Sequence, residues 1–173
     1  MKVWIALFFS MLLVGGCTSV PVPAPERNTL LAGKLLVNWN TDGVMSGGNG
    51  KIKYGIRMYL QNNQTGKTTI VYTQQNGWIL TNKLSGGSYT IQKLYIEREQ
   101  ARTIYQMTLQ GPFNITLEEG VVNNMGAVQI DVGSKGYFYR LVDYDVVQFD
   151  FQNEFPGSEW NSHEWKNNPV FNR

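Results

Sequence analysis

The chain predicts an all-β domain, an antiparallel β-sandwich with a short C-terminal helix over the one stretch where a helical period also fits. Three observations lead there. Eight or so short stretches alternate apolar and polar residues with a period of two, glycine and asparagine punctuate them at regular spacing, and no βα alternation repeats along the chain. No internal repeat is visible.

The strands follow in order. "TLLAGKLLVNW" opens the domain and runs into a glycine-rich loop, "TDGVMSGGNG". "KYGIRMYLQN" places Tyr54, Ile56, Met58 and Leu60 on one face, and "KTTIVYTQ" places Thr68, Ile70 and Tyr72 on one face. Between them "NQTG" is a hairpin turn, with Gly66 able to take positive φ at no steric cost. "SYTIQKLYIER" alternates Tyr89, Ile91, Lys93 and Tyr95 against Thr90, Gln92, Leu94 and Ile96, and "RTIYQMTL" is its hairpin partner across "EREQA". "FNITLE", "NMGAVQIDV" and "KGYFYRLVD" complete the set.

The tail supports two periods. In "DYDVVQFDFQNEFP", Val147, Phe151 and Glu154 or Phe155 form a helical stripe with Asp145 as N-cap, while Phe149 and Phe151 suit a strand; Pro156 ends either. A short helix from Asp145 is the preferred reading. The last stretch, "GSEWNSHEWKNNPVFNR", is expected to fold its Trp160 and Trp165 back onto the sandwich.

The first residues are an address. Lys2 gives a positive start, residues 3–14 are apolar apart from Ser10, and two glycines precede Cys17. The run is shorter than the ~20 apolar residues of a spanning helix and has the layout of a secretory signal peptide over residues 1–16. Its end, "VGGC", resembles the lipobox of bacterial lipoproteins, with Val14 where leucine is commoner. The resemblance implies that Cys17, the only cysteine, is the lipid-attachment residue and becomes the new N-terminus. An acylated Cys17 leaves the mature domain without a thiol or a disulfide. Because Thr18 rather than aspartate follows, the resemblance favours the outer membrane if the organism is a diderm.

Behind the cysteine, "TSVPVPAPER" alternates Pro21, Pro23 and Pro25, which favour an extended polyproline-type spacer; the preferred expectation for residues 17–27 is a disordered tether with no role beyond its length. Ten residues in the extended form, at ~3.1 Å each, would hold a domain ~30 Å from the lipid. Residues 28–173 are then the length of one domain. The whole chain carries 15 Lys+Arg and 13 Asp+Glu; without Lys2 the mature chain has one excess positive charge, and no basic run marks a nucleic-acid surface.

A second resemblance lies in "GWILTNKLSGGSY". It looks like the turn of carboxypeptidase-regulatory-like and other prealbumin-like, immunoglobulin-like sandwiches, carried by Leu84, Gly86, Gly87, Tyr89 and Ile91, with Ser85–Gly86 where Pro-Gly is commoner. "FNITLEEGVVNNMGAVQI" is similar to a second element of small bacterial lipoproteins of this type through Phe113, Ile115, Gly120, Val122, Gly126 and Val128. These implications concern the fold, and a fold does not name a function.

Chemistry is sparse. His163 is the only histidine and no serine sits in a nucleophile elbow, so no catalytic set assembles; zinc lacks its usual ligands. Asp143 and Asp145 would share a strand face and offer oxygen to calcium, but "DYD" is too short a ligand series. Glu118–Glu119, and Glu97 with Glu99, suit solvated hairpin ends. Trp39 and Trp78 are expected in the core, whereas Trp160 and Trp165 lie among polar residues and are the candidate ligand-binding platforms. The expectation is a lipid-anchored, non-catalytic binding or accessory module with an envelope protein or glycan partner, no cofactor and no metal. The alternative is a glycan- or peptidoglycan-binding module using Trp160 and Trp165; an enzyme is the remote third.

Overall fold

A computed structural model describes residues 19–39, 54–98, 104–107, 113–133 and 136–170. Cys17, the glycine-rich loop at 41–50 and the "EREQA" turn beyond Arg98 lie outside them.

Among the described residues ten strands form two five-stranded sheets. The first strands are β1 (Leu30–Trp39), β2 (Tyr54–Asn62), β3 (Thr68–Tyr72), β4 (Trp78–Thr81) and β5 (Gly87–Arg98). Then come β6 (Ile104–Met107), β7 (Phe113–Leu117), β8 (Val122–Gly133), β9 (Gly136–Asp143) and β10 (Trp165–Asn167), with helix α1 (Asp145–Glu154) between the last two. One sheet is β3-β2-β5 with β6 and β7 sharing the far edge of β5. The other is β4-β1-β8 with β9 and β10 sharing the far edge of β8.

The first of these sheets is antiparallel throughout. The second is mixed, which corrects the expectation of an antiparallel sandwich: β1 and β10 both run parallel to β8. Period-two patterning sets which face a residue occupies and carries no information about strand direction. Parallel pairing requires a long connection, and here β2 to β7 supply the one between β1 and β8.

The sheets meet on a shared apolar core. Leu31, Leu35, Ile79, Met125, Val128 and Ile130 from the mixed sheet face Ile56, Met58, Leu60, Val71, Ile91, Leu94 and Ile96. On β3 only Val71 points in; Ile70 and Tyr72 are exposed. On β5 the strict alternation fails. Tyr89, Ile91, Leu94 and Ile96 are all buried, because the register slips between Ile91 and Lys93 opposite Leu60 and Tyr59. Gln92 is the extra residue of a β-bulge, and it moves the inward set from odd to even numbers.

The mixed sheet is covered on both faces. Leu30, Ala32, Trp78, Leu80, Val122 and Ala127 point away from the first core and pack under Val147 and Phe151 of α1 and under Trp160. The apolar run of "LLAGKLL" therefore belongs to a strand buried on both sides. Opposite Gly33 the β8 strand bulges, and a Cβ on Gly33 would sit 2.1 Å from Met125 Cγ. Gly126 takes φ +79° in that bulge.

The helix begins one residue earlier than a cap at Asp145 requires. Tyr144 is the N-cap, and the Asp143 carboxylate accepts the Asp145 N–H at 3.0 Å. Asp143 and Asp145 thus lie on different elements and share no strand face. Around the second resemblance, Leu84, Tyr89, Phe113, Ile115 and Leu117 enter the main core, and the Tyr89 hydroxyl donates to Ser85 O at 3.0 Å.

Candidate functional site

One cluster of polar side chains lies on the helix side of the mixed sheet. Lys34 is buried in β1, at a position whose neighbours Ala32 and Ala127 are core. Its Nζ lies 2.5 Å from Asp150 Oδ2, 3.1 Å from Glu154 Oε1 and 4.3 Å from the centre of the Trp78 ring. Glu154 Oε2 accepts the Trp78 indole N–H at 2.7 Å. One turn of helix separates Asp150 from Glu154, so both carboxylates reach the same ammonium. The cluster pins α1 across β1 and β4 and meets the hydrogen-bonding needs of a buried cation and a buried indole.

Trp160 is buried completely, within a short 3-10 turn (Glu159–Ser162). Its indole N–H donates to Pro21 O at 2.6 Å, and the His163 ring tilts against it at 4.7 Å. Trp165 is half-buried in β10 with its ring 5.1 Å from Phe151. The two tryptophans flank one core from different elements and offer no paired open platform. Trp78 is in the core as expected; the Trp39 side chain lies outside the described residues. His163 Nδ1 is engaged with Glu159 O at 3.2 Å. Glu118 is exposed, as expected, and pairs with Lys166 at the surface, a partner that raises the Lys166 pKa above its ordinary value. Among the described residues no group of three His, Cys, Asp or Glu side chains is gathered as a metal ion needs, and no helix is long and apolar enough to cross a membrane.

The N-terminal segment departs most from expectation. In place of a free tether, residues 19–27 lie docked along the domain. Ser19 N donates to Gln74 Oε1 at 2.8 Å, and Gln74 Nε2 returns a bond to Ser19 O at 2.7 Å. Val20 packs against the second core, Pro21 O takes the Trp160 bond, and Val22 O accepts from Asn82 Nδ2 at 2.9 Å. Arg27 N then donates to Ala24 O at 2.8 Å in a turn with Pro25 at its second position. Where residues 20–23 face Phe155 and residues 157–159 there is a cleft of about 300 Å3.

Two asparagines matter that the sequence reading passed over. Asn123 exchanges both amide bonds with the Glu118 backbone, at 2.9 Å each. Asn124 stands where β9 and β10 divide the edge of β8, donating to Tyr144 O and Asn167 Oδ1 and accepting from Gly126 N. Their signal was an adjacent pair of polar residues inside an apolar strand. Comparison of the chain with protein families, with curated proteins and with solved structures finds no match.

Proposed function

We propose that this chain is a cell-envelope lipoprotein, anchored through acylated Cys17, whose domain is a non-catalytic binding or accessory module of the prealbumin-like, immunoglobulin-like class. The observation that carries the reading is the charged start and short apolar run ending in Val14-Gly15-Gly16-Cys17. Supporting it, the clustered ionisable groups serve the fold: Lys34, Asp150 and Glu154 fasten the helix, and Asp143 accepts a backbone N–H at its start. The module's partner is taken to be an envelope protein. A glycan platform needs an open ring, and the Trp160 ring is enclosed. In a diderm the outer membrane is its place, since Thr18 follows the cysteine.

Membrane fractionation with mass spectrometry of the N-terminal peptide tests the anchor. The wild type is expected in the membrane with a diacylated, N-acylated Cys17, and Cys17→Ala in the soluble fraction. Unchanged membrane retention of a cleaved Cys17→Ala product would sink the claim. Crosslinking in intact cells tests the module: capture of a defined envelope protein is the expected result, and capture of phospholipid alone counts against it.

A further inference from the structure

We infer that the docked N-terminal segment lays one particular end of the domain against the bilayer headgroups, so that the opposite end faces away; this rests on the lipid-anchor reading above. The chain length leaves little freedom. Ser19 is held at Gln74 by two hydrogen bonds, Pro21 by Trp160 and Val22 by Asn82. Only Thr18 lies between Ser19 and Cys17, and two fully extended residue steps span at most ~7 Å. The ~30 Å stand-off that ten free residues would allow collapses to that distance.

Gln74 marks which end meets the lipid. It follows β3, whose last residue Tyr72 pairs with Arg57 near the start of β2. It precedes Trp78, which pairs with Lys34 midway along β1, and Gly77 approaches Leu35 O so closely that a Cβ there would stand 2.4 Å from it. From Val22 back to Ser19 the segment climbs from Asn82 to Gln74, toward the end where β1 and β8 finish and β2 begins. Of the exposed apolar side chains, Tyr72 (58% exposed), Leu36 (42%) and Phe138, opposite Asp131 near the finish of β8 (81%), lie toward that end, while Val142 of β9 and Val146 and Phe149 of α1 are exposed away from it. At the other end, the turns at 62–67 and 117–121 and the β10 strand carry no exposed large apolar side chain among the described residues. They present Asn63, Gln64, Glu118, Glu119 and Lys166 instead. A tyrosine with an apolar ring and polar hydroxyl suits the headgroup layer.

The test uses the lipidated full chain in vesicles of phosphatidylethanolamine and phosphatidylglycerol doped with a headgroup-nitroxide lipid. Since acylation consumes Cys17, Tyr72→Cys and Thr65→Cys each offer one thiol for a fluorophore; β3 alone separates them by ~17 Å. The expected result is quenching at position 72 and none at 65. Adding Gln74→Ala and Trp160→Phe, or Gln74→Ala alone if the pair fails to fold, is expected to abolish the difference. Equal quenching at both positions on vesicle-bound protein overturns the orientation while leaving the anchor intact. A difference that survives both latch substitutions overturns it too. Protein that stays off the vesicles with a free Cys17 thiol overturns the anchor, and the orientation with it.

Discussion

The mixed sheet has two cores, one on each face, and they are built differently. The core between the sheets is mostly aliphatic and comes mostly from strands: Leu31, Leu35, Ile56, Leu60, Leu94 and Ile96 bring no side-chain polar atom with them. The core under α1 is aromatic and laced with hydrogen bonds, joining Trp78, Phe151 and Trp160 to Lys34, Glu154 and the backbone of Pro21. Aliphatic side chains need only exclude water, so many arrangements satisfy them. Buried indoles and a buried ammonium need particular partners at particular distances. The second core therefore specifies where the helix, the tail and the N-terminal segment must sit.

The sharpest way to break this contrast is to empty each core in turn. Leu94→Ala and Phe151→Ala both remove fully enclosed side chains, and are expected to cost ~2–5 and ~3–5 kcal/mol respectively in denaturant unfolding. If the two cores form one cooperative unit, each variant shifts a single transition. Two transitions in Phe151→Ala would mean that the helical layer unfolds by itself.

Lys34 separates charge from volume. Lys34→Ala strips an ammonium from Asp150 and Glu154 and opens space under the helix, and is expected to lose ~1–3 kcal/mol. The two carboxylates keep 33% and 39% of their side-chain surface, so water softens that loss. Lys34→Met restores the volume and is expected to recover most of the stability in the same thermal melt. A Met variant as weak as the Ala variant would show that the ion pairs, rather than the stem, hold α1 down.

Trp160→Phe keeps an aromatic ring but removes the donor to Pro21 and the pyrrole half of the buried indole, an expected loss of ~1 kcal/mol for the hydrogen bond with a cavity cost added to it. Hydrogen exchange should show residues 19–23 losing protection while β1 and β8 keep theirs. Uniform loss across the domain would erase the distinction between a docked segment and the body. The smallest effect is expected at Gly66, and Gly77 is its control. Gly66→Ala meets nothing within 4 Å and carries only the ~1 kcal/mol strain of its φ of +71°. Gly77→Ala adds collision with Leu35 O and should cost clearly more, read from paired chemical-denaturation curves.

The same contrast divides what was legible in the sequence. The aliphatic core follows from alternation, and Ile56, Met58, Leu60, Ile115 and Val128 stand where that pattern puts them. It failed at Gln92, because a bulge inserts one residue without any compositional mark beyond a polar interruption. The parallel course of β1 beside β8 was beyond reach for a related reason, since direction depends on connections and not on faces. Of the second core, the helical stripe Val147–Phe151 was readable, because two apolar residues four apart bury together. The partners of Trp160 and Lys34 were not. Residues 21 and 160, and residues 34 and 150, meet only after the whole tail has crossed the sheet. A tryptophan among polar neighbours resembles an exposed platform until the element that covers it is known.

The place of β1 in the mixed sheet sets a timetable. Its two neighbours are β4, which begins at Trp78, and β8, which ends at Gly133. A chain emerging from its N-terminus therefore offers β1 no hydrogen-bonding neighbour in this sheet until β4 is out, and completes that strand's ladder only when more than two thirds of the protein is available. Such distant pairings close slowly, since the entropy of a long loop is lost before any contact compensates for it. Early in its life β1 therefore waits, without its neighbours in this sheet, for partners that come much later in the chain.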